Sequence, residues 1–293
     1  MNIDIICPLY NAENDIERLD KSLKQQENVK INKIKYVLTE CKDKTEEKLK
    51  KLNIEYKKIK KEDFSHSLTR EKEAFESDSD IVVFVTQDVI IEKKDWLFNL
   101  TKDIISGEVD ACYSRQICTN NTIEKYTREC NYPKESKIVS KEDIEKLGLK
   151  TFFFSDASSA IKRETFVKLN GYDHKNLIIS EDMYIAYKLI TNGYKIKYCA
   201  DSEVIHSHVF TLKQYYDRYK DTGKFFKENS YLNNYKVNQA GGNMAKYILK
   251  RAWQEKNWGV LVKYIPNMAA RFIGMKVGKI WYESINCIRK SFL

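Results

Sequence analysis

Residues 81–88 read IVVFVTQD, a run of five apolar residues that leads directly into Thr-Gln-Asp. An apolar run of this length after the polar segment 77–80 predicts a strand buried on both faces, as in the middle of a mostly parallel sheet. Ligands in open α/β sheets bind beyond the carboxyl ends of such strands. The sequence therefore places Asp88 at the opening of a cleft, unless Asp88 serves only as the N-cap of a helix near residues 96–105.

The composition of the 293-residue chain indicates one large α/β domain, alone or with a smaller appendage. Apolar residues make up 42%, enough for a substantial core, and the three prolines argue against long disordered linkers. No apolar run is long enough to span a bilayer, and the start MNIDIICPLY lacks the basic region of a signal peptide, so we expect a cytoplasmic protein. The seven cysteines form no CxxC pair, which argues against a disulfide framework or zinc site.

The positive charge of the chain is concentrated near its C-terminus. The formal net charge is +9, and residues 211–293 alone carry 16 Lys and Arg against five Asp and Glu. The first 210 residues are therefore close to neutral. This distribution predicts a functional surface on the tail of an otherwise neutral protein.

The N-terminal region alternates between predicted strands and helices. The strands are expected at residues 2–7, ended by Pro8, and at 33–38 and 54–59, with helices at 15–26 and 45–52. This order predicts a parallel sheet with right-handed crossovers. The sequence contains neither a dinucleotide fingerprint nor a P-loop after the first strand.

Several polar segments accompany these elements. Residues 64–70, FSHSLTR, are predicted to form a loop that opens a helix over 69–76. Arg70 would then lie in the first helical turn, where the helix dipole does not favour a cation. A role in contacting an anion is therefore given the same weight as a purely structural role. His66 is interpreted as a loop residue that forms hydrogen bonds.

The middle of the chain is predicted from weaker patterns. We expect strands at 109–113 and 152–154, an irregular mobile region at 117–150 with one helix at 141–147, a small-residue turn at 155–159, and a helix at 163–170 ended by Gly171. Ser180 is a candidate N-cap for a helix that carries Glu181 and Asp182 in its first turn. Carboxylates in that position also simply stabilise a helix N-terminus.

Two further features lie towards the C-terminus. His206 and His208 are two residues apart on an extended segment and should point the same way, which suits a metal or an anion. The tail is predicted to be helical, with a last helix after Pro266. Its basic amphipathic helices, which carry Trp and Phe, either pack on the main domain or lie at a membrane surface.

The polar motifs, taken in order, resemble those of a known enzyme family. They are Pro8-x-Tyr10-Asn11, Thr86-Gln87-Asp88, Arg115-Gln116, Ser155-Asp156-Ala157-Ser158, Glu181-Asp182-Met183 and His206-Ser207-His208. Their order and spacing are similar to those of family 2 glycosyltransferases of the GT-A fold, especially the bacterial rhamnosyltransferase-like members that build cell-surface polysaccharides. The resemblance implies an α/β GT-A domain over residues 1–225, with a Rossmann-like, mostly parallel central sheet, and a basic amphipathic helical extension over 226–293.

The resemblance also implies roles for individual residues. Asp182 would be the catalytic base, and Asp88 the metal-binding acid, with His208 and also His206 reaching the metal or the diphosphate. The nucleotide would be bordered by Pro8, Tyr10, Asn11, Thr39, Arg70, Gln87 and Asp88. The sugar or acceptor would be faced by Arg115, Gln116, Ser155, Asp156 and Glu181. The sequence departs from the family at Thr86, where the first acid of the DxD motif is absent, and at Thr39-Glu40-Cys41, in place of an Asp-Ser-rich nucleotide loop.

The implied reaction is inverting transfer of a sugar, with L-rhamnose from dTDP-rhamnose as the first expectation and a UDP-sugar as the alternative. Carboxylate and imidazole ligands favour Mn²⁺ over Mg²⁺. The acceptor would be a glycan or a lipid-linked acceptor. The tail would bind the inner membrane leaflet from the cytoplasm. A homodimer is left open, and so is an inactive member of the family. The remaining alternatives are a nucleotidyltransferase, whose Gly-rich N-terminal loop is absent, and a basic nucleic-acid- or membrane-binding protein without catalysis; we expect no nucleic-acid partner.

Overall fold

The computed structural model describes residues 1–236 and 240–290 of the protein. Within these residues, eight strands form one sheet: β1 (Asn2–Leu9), β2 (Lys30–Thr39), β3 (Tyr56–Ile59), β4 (Ile81–Val85), β5 (Ala111–Ile117), β6 (Lys137–Val139), β7 (Ser158–Lys162) and β8 (Ile196–Ile205). The strand order is β3-β2-β1-β4-β7-β5-β8-β6. Neighbouring strands are parallel except that β7 is antiparallel to β4 and β5, and β6 to β8. The predicted mostly parallel sheet is confirmed.

Helices cover both faces of the sheet. They are α1 (Ile16–Lys24), α2 (Thr45–Lys51), α3 (His66–Phe75), α4 (Trp96–Ile105), α5 (Ile123–Asn131), α6 (Ile144–Leu147), α7 (Arg163–Lys168), α8 (Glu181–Thr191), α9 (Leu212–Glu228), α10 (Ala240–Gln254) and α11 (Trp258–Lys290). Apolar side chains of α1, α2 and α4 pack on one face, and those of α3, α7, α8 and α9 on the other. A third cluster joins α5, α9, α10 and α11.

Strand β4 is the buried central strand that the sequence predicts. All five of its residues are inaccessible to solvent, and it pairs with β1 on one side and β7 on the other. The following helix α4 begins at Trp96, with Asp95 at its N-cap position. Asp88 therefore does not cap this helix, and its carboxylate is left to face the cleft.

Some predicted boundaries in the sheet were wrong. Strand β1 continues through Pro8 to Leu9, because β4 pairs with β1 only as far as Ile6 and requires no ladder hydrogen bond at the proline. Strand β5 extends to Ile117, so Arg115 and Gln116 lie within it rather than after it.

The region 117–150 was wrongly predicted to be largely irregular. It contains α5, β6 and α6, and the structure places short 3₁₀ turns at Lys141–Asp143 and Gly148–Phe152. Helix α5 buries only Ile123 and Tyr126. With so few apolar positions, the sequence shows only a weak helical periodicity there. Residues 152–154 form no strand, because Phe152 and Phe153 pack edge-on against tyrosines of other elements and tertiary packing overrides their β propensity.

The tail also differs from its prediction. Helix α11 begins before Pro266 and continues through it, although an interior proline removes a backbone hydrogen bond. The predicted domain boundary at 225/226 lies inside α9, so the helix that follows the sheet also carries the contacts to the tail.

Glycines allow α9 and α11 to cross at very short distance. A Cβ at Gly278 would lie 1.9 Å from the carbonyl oxygen of Lys220, and one at Gly274 would lie 2.4 Å from that of Tyr216. From the opposite helix, a Cβ at Gly223 would lie 2.3 Å from the carbonyl oxygen of Met275. These contacts are with backbone atoms, so a side chain there would force the helices apart.

We therefore expect Gly278→Ala to lower the free energy of unfolding by about 1–3 kcal/mol, as overpacked interiors do. The matched control is Gly259→Ala on the same helix, where the nearest atom is the Asn257 Oδ1 at 3.7 Å. The control should be neutral, or stabilising by up to about 1 kcal/mol, because alanine favours helix over glycine. Urea unfolding followed by circular dichroism measures both. Equal effects of the two substitutions would contradict the close crossing.

Candidate active site

A cleft of about 980 Å³ opens at the carboxyl end of the central strands. Asp88, after β4, and Asp182, in the first turn of α8, both line it. The other expected site residues that line it are Pro8, Tyr10, Thr39, Arg70, Gln87, Gln116, Ser155, Asp156, Glu181, His206 and His208. Asn11 and Arg115 are not part of its lining.

The ends of β1 and β4 are joined by the side chain of Gln87. Its Oε1 accepts a hydrogen bond from the backbone N–H of Tyr10 at 2.7 Å, and its Nε2 donates to the Tyr10 carbonyl at 2.8 Å. At the end of β2, Thr39 is buried, and its Oγ1 has no hydrogen-bond partner within the described part of the chain. Asn11 follows Tyr10 in a left-handed turn with φ 51°, which explains why it leaves the cleft wall.

Asp88, His206 and His208 form a compact cluster at the centre of the cleft. The Asp88 Oδ2 lies 3.4 Å from His206 Nε2 and 3.5 Å from His208 Nε2, and the two Nε2 atoms are 2.7 Å apart. Among the side chains that the structure describes, this is the one group of three or more His, Cys, Asp or Glu residues whose ligand atoms lie close enough together to share a metal ion. Two ligand atoms that each lie roughly 2.0–2.2 Å from one ion, with an angle of about 90° at the ion, would be about 3 Å apart. The cluster therefore fits a divalent cation.

Gln116 fixes the orientation of His206. Its Oε1 accepts from His206 Nδ1 at 2.9 Å and from the Arg128 guanidinium, and its Nε2 donates to Ser155 Oγ at 2.7 Å. An amide oxygen only accepts, so the His206 proton is on Nδ1 and its Nε2 lone pair faces Asp88 and His208. This is the usual arrangement behind a metal-binding histidine.

The electrostatics of the cluster favour a neutral His208 and an ionised Asp88. Burial, the nearby His206 and the Arg128 and Arg218 guanidinium groups lower the pKa of His208 to about 4, against the opposing charge of Asp88. Burial alone would raise the pKa of Asp88, but positive charge on His206 or His208, whenever either imidazole is protonated, together with a hydrogen bond from His206 in that form, lowers that pKa well below its usual range. A neutral imidazole and a carboxylate are the forms that bind metals.

A second group, of two carboxyls and one guanidinium, surrounds Asp182. Arg70 is almost fully buried and pairs with Glu181 at 3.2 Å, while it also donates to the His66 carbonyl at 2.9 Å. Asp156 is buried and accepts hydrogen bonds from Tyr172 and Ser159, at 2.7 and 2.8 Å. Both of these carboxylates are thus engaged within the protein.

Arg70 was wrongly placed in the first turn of its helix. Helix α3 begins at His66, with the Ser65 side chain accepting from the Leu68 N–H as N-cap, so His66 is helical and Arg70 lies one turn further in. The helix-dipole argument for an anion contact therefore does not apply. Arg70 instead pairs with Glu181, and its Nε is the part left without a partner among the described residues.

Asp182 has the electrostatic properties of a base. Burial first, and then the charges of Glu181 and Asp156, raise the pKa of Asp182 well above that of an ordinary aspartate, against the hydrogen bond from the Met183 N–H and the charge of Arg70. Its Oδ1 accepts the Met183 N–H at 2.7 Å. Ser180, at the N-cap position, has φ 62° and makes no side-chain capping bond, contrary to the sequence prediction. The strained turn at Ser180 therefore sets where Asp182 points.

Arg115 is turned away from the cleft, contrary to the sequence expectation. Its guanidinium pairs with Glu203 at 2.6 Å and donates to the Tyr132 carbonyl at 3.3 Å. Successive residues of a strand point to opposite faces, so Gln116 can line the cleft only if Arg115 does not.

The sequence reasoning missed residues from three helices. They are Glu124, Thr127 and Arg128 on α5, Tyr215, Arg218, Tyr219, Asp221 and Thr222 on α9, and Arg271 on α11. The α9 residues recur at helical spacing and so share one face. That spacing was visible in the sequence, but the region was interpreted as a packing or membrane surface.

Comparison with known proteins identifies the family. Residues 4–169 match the sequence profile of the family described as Glycosyl transferase family 2. The chain belongs to this family. It is therefore a glycosyltransferase, as the resemblance implied.

The similarity to individual relatives extends over most of the chain. The chain is 33% identical over 289 residues to the O-antigen chain rhamnosyltransferase RfbN of Salmonella typhimurium, covering 96% of this chain and 90% of that protein. It is 36% identical over 230 residues to the O-antigen chain rhamnosyltransferase WbaN of Salmonella anatum, covering 76% and 72%. The resemblance to rhamnosyltransferase-like members of the family is confirmed.

A solved structure shows the same fold. The mannosyltransferase PcManGT from Pyrobaculum calidifontis, in complex with GDP-Man and Mn²⁺, superposes with a TM-score of 0.59 at 16% identity, over 95% of this chain and 87% of that chain. The predicted GT-A architecture with C-terminal helices is confirmed. Among the described residues, no helix combines the length and apolarity needed to cross a membrane.

Proposed function

We propose that this glycosyltransferase is an inverting, metal-dependent enzyme of cell-surface polysaccharide synthesis. The preferred donor is dTDP-L-rhamnose, and the acceptor is a glycan or a lipid-linked glycan. The names of RfbN and WbaN support the sugar and the pathway class. The observation that carries the proposal is that the Asp88–His206–His208 cluster and the Asp182 carboxylate line one cleft. A UDP-sugar donor remains the alternative, and a panel of nucleotide sugars in a hydrolysis assay distinguishes the two.

The donor would lie across the ends of β1, β2 and β4. Pro8, Tyr10, Thr39 and Gln87 would border its nucleotide, and the partnerless Thr39 hydroxyl is available for a hydrogen bond to it. Asn11 and Arg70 are not assigned direct contacts with the donor, because Asn11 is outside the cleft lining and Arg70 forms an ion pair with Glu181. Arg70 acts instead as a positioning residue for the carboxyl group beside Asp182.

Asp182 would take the proton in the transfer step. The acceptor oxygen forms a bond to the anomeric carbon, the bond from that carbon to the diphosphate oxygen breaks, and its electron pair leaves with the nucleoside diphosphate. The acceptor hydroxyl proton passes to a carboxylate oxygen of Asp182. The raised pKa of Asp182 makes it a stronger base than an ordinary aspartate. Glu181, Asp156 and Ser155 would shape the sugar and acceptor side, with Gln116 holding Ser155 and His206.

The residues that would hold the metal are Asp88, His206 and His208. A bound divalent cation supplies Lewis-acid stabilisation of the charge on the leaving diphosphate. A set of one carboxylate and two imidazoles favours Mn²⁺ over Mg²⁺, which prefers oxygen ligands. The absence of an acid at Thr86 is compensated by the second imidazole in this arrangement.

The tail would attach the enzyme to the inner leaflet, where a lipid-linked acceptor is located. Helices α10 and α11 expose large apolar side chains, namely Leu249, Trp253, Trp258, Val262, Ile265, Phe272, Ile273 and Ile280. Lysines of the same helices alternate with them in sequence. Exposed apolar groups combined with basic residues are suited to an anionic lipid surface.

For the base, we expect Asp182→Asn to fold and bind donor but to lose about 10²–10⁴-fold in kcat, the usual contribution of a general base. The control is Asp201→Asn, an exposed carboxylate on β8 that pairs with Lys102 and should retain full activity. Transfer is measured by release of the nucleoside diphosphate. Near-normal turnover of Asp182→Asn would remove the assignment.

The pH profile provides a second test of Asp182. A base must be deprotonated, so kcat should fall as the pH drops through the raised pKa of Asp182, above the range of an ordinary aspartate. Removing the neighbouring charge with Glu181→Gln should lower that pKa and shift the acid limb to lower pH. A shift in the opposite direction would contradict this electrostatic account.

For the metal, we expect the wild-type protein to bind Mn²⁺, as measured from the electron paramagnetic resonance signal of free Mn²⁺. Asp88→Asn and His208→Ala should abolish this binding, and Gln116→Leu should weaken it about 10–100-fold by releasing the orientation of His206. His174→Ala, a histidine that pairs with Glu71, is the control. Unchanged Mn²⁺ affinity in His208→Ala would exclude the proposed ligand set.

For the membrane, we expect co-sedimentation with phosphatidylglycerol-containing vesicles and little with phosphatidylcholine vesicles. The double variant Val262→Ser/Ile265→Ser should bind at least about ten-fold more weakly, since each buried aliphatic side chain contributes about 1.5–3 kcal/mol. Phe98→Ser, an exposed apolar residue on α4, is the matched control. Equal binding of all three proteins would rule out this surface.

A further inference from the structure

The cleft contains a guanidinium group that no carboxylate neutralises. Arg128, on α5, donates to the Gln116 amide oxygen, and its Nε is buried without a hydrogen-bond partner in the part of the chain that the structure describes. Among the same residues, no carboxylate lies within ion-pair distance of Arg128, in contrast to Arg70, Arg115, Arg251 and Arg271. An unpaired, partly buried cation is unfavourable unless a ligand supplies the negative charge.

A second cation approaches the same point from α9. The Arg218 guanidinium lies 5.0 Å from the centre of the Phe210 ring, and the Phe210 ring is stacked on His208 at 5.0 Å with an interplanar angle of 26°. Arg218 is exposed, lines the cleft and has no ion-pair partner among the described residues. Arg218 therefore contacts Phe210, which in turn stacks on His208 of the Asp88–His206–His208 cluster.

Arg271 has a different role although it lines the same cleft. Its guanidinium pairs with Glu124 at 3.1 Å, donates to the Tyr219 hydroxyl at 3.2 Å and lies 4.3 Å from the centre of the Tyr215 ring. Glu124 also accepts from the Tyr215 hydroxyl at 2.8 Å. The Arg271 charge is thus neutralised within the protein, and it ties α11 to α5 and α9. Among the described residues of the cleft lining, Arg128 and Arg218 are the two guanidinium groups left for a ligand, and Lys61, the other cation there without an ion pair, lies 5.6 Å from the centre of the Tyr10 ring.

The position of these cations indicates the charge that they would bind. Arg128 shares the Gln116 amide oxygen with His206, and Arg218 is linked to His208 through the Phe210 ring, so a bound anion would contact the cations and the metal-ligand cluster together. Guanidinium groups bind phosphate oxygens in paired hydrogen bonds, which suits a ligand with several phosphate oxygens. In glycosyl transfer, breaking the sugar–oxygen bond adds one negative charge to the leaving diphosphate.

We propose that Arg128 and Arg218 form a diphosphate-binding subsite that neutralises the leaving group of the donor. This inference rests on the proposed glycosyl transfer from a nucleotide sugar. Arg128, which also holds Gln116, binds from the α5 side of the cleft, whereas Arg218 binds from the α9 side. The subsite combines a helix inside the matched family region with one outside it.

The test is calorimetric titration of wild type, Arg128→Met and Arg218→Met with dTDP and UDP in the presence of Mn²⁺. Each substitution should weaken binding of the preferred nucleoside diphosphate roughly 10- to 100-fold, the usual effect of losing a charge-assisted contact. Thymidine and uridine, which lack phosphates, should bind the variants and wild type equally. Arg128→Lys should recover part of the loss, because it restores the charge but not the paired hydrogen bonds.

Lys125→Met is the matched control. It removes a positive charge from the same helix, but Lys125 pairs with Glu255 and is not part of the cleft lining, so nucleotide affinity should not change. Mn²⁺ affinity of Arg218→Met should equal that of wild type, which separates loss of the subsite from loss of the metal cluster. Circular dichroism checks that each variant is folded.

Three results would contradict the proposal in different ways. Unchanged nucleoside diphosphate affinity in both folded arginine variants would overturn the subsite while leaving the proposed function intact. If the arginine variants bound farnesyl diphosphate more weakly than wild type but bound nucleoside diphosphates equally well, the subsite would not be a donor site. That result would favour a phosphate of the acceptor as its ligand. A wild-type protein that binds inorganic pyrophosphate through these arginines but no nucleoside diphosphate would overturn the proposed donor class instead.

Discussion

The contact between Asp88 and two imidazoles at the end of a fully buried strand is the interaction on which the cleft depends. Strand β4 has no solvent-accessible residue, so its end is fixed by both neighbouring strands. The imidazoles come from the end of β8, which is separated from β4 by two other strands. Bringing the two strand ends together requires Ile90 to bridge to Ile205, with backbone hydrogen bonds of 2.8 and 2.9 Å. This bridge sets the distance across the cluster.

Gln116 transmits the geometry of the sheet to the helices around the cleft. It lies near the end of β5 and contacts the histidine that directly follows β8, an arginine from α5 and a serine from the turn before β7. All of its polar atoms are therefore engaged within the protein. A residue held in this way is better suited to orienting its neighbours than to recognising a substrate. Under the proposed function, contacts with the sugar or acceptor on this side would come from Ser155, Asp156 and Glu181, and contacts with the diphosphate from the arginines of α5 and α9.

The sequence was informative wherever one element determined the outcome. The apolar run before Asp88 predicted a buried strand and its open end, and the two-residue spacing predicted that His206 and His208 would point the same way. Residues whose roles depend on contacts between elements could not be inferred. Arg70 appeared to be free to bind an anion until its pairing with Glu181, 111 residues away, was visible. Arg115 was assigned to the cleft by the family resemblance, and β5 was predicted to end at residue 113, four residues before its observed end at Ile117.

The helical tail shows the same limit from the opposite direction. Its charge and aromatic content suggested a packing or membrane-binding surface. No local sequence pattern indicated that α9 and α11 contact each other through glycines. That crossing brings Tyr215, Tyr219 and Arg271 to the cleft wall together. One helix, α11, thus presents Arg271 to the cleft and Phe272 and Ile273 to solvent. Because Arg271 lies on α11, the tail is part of the framework of the cleft, in addition to the membrane contact proposed for its outer face.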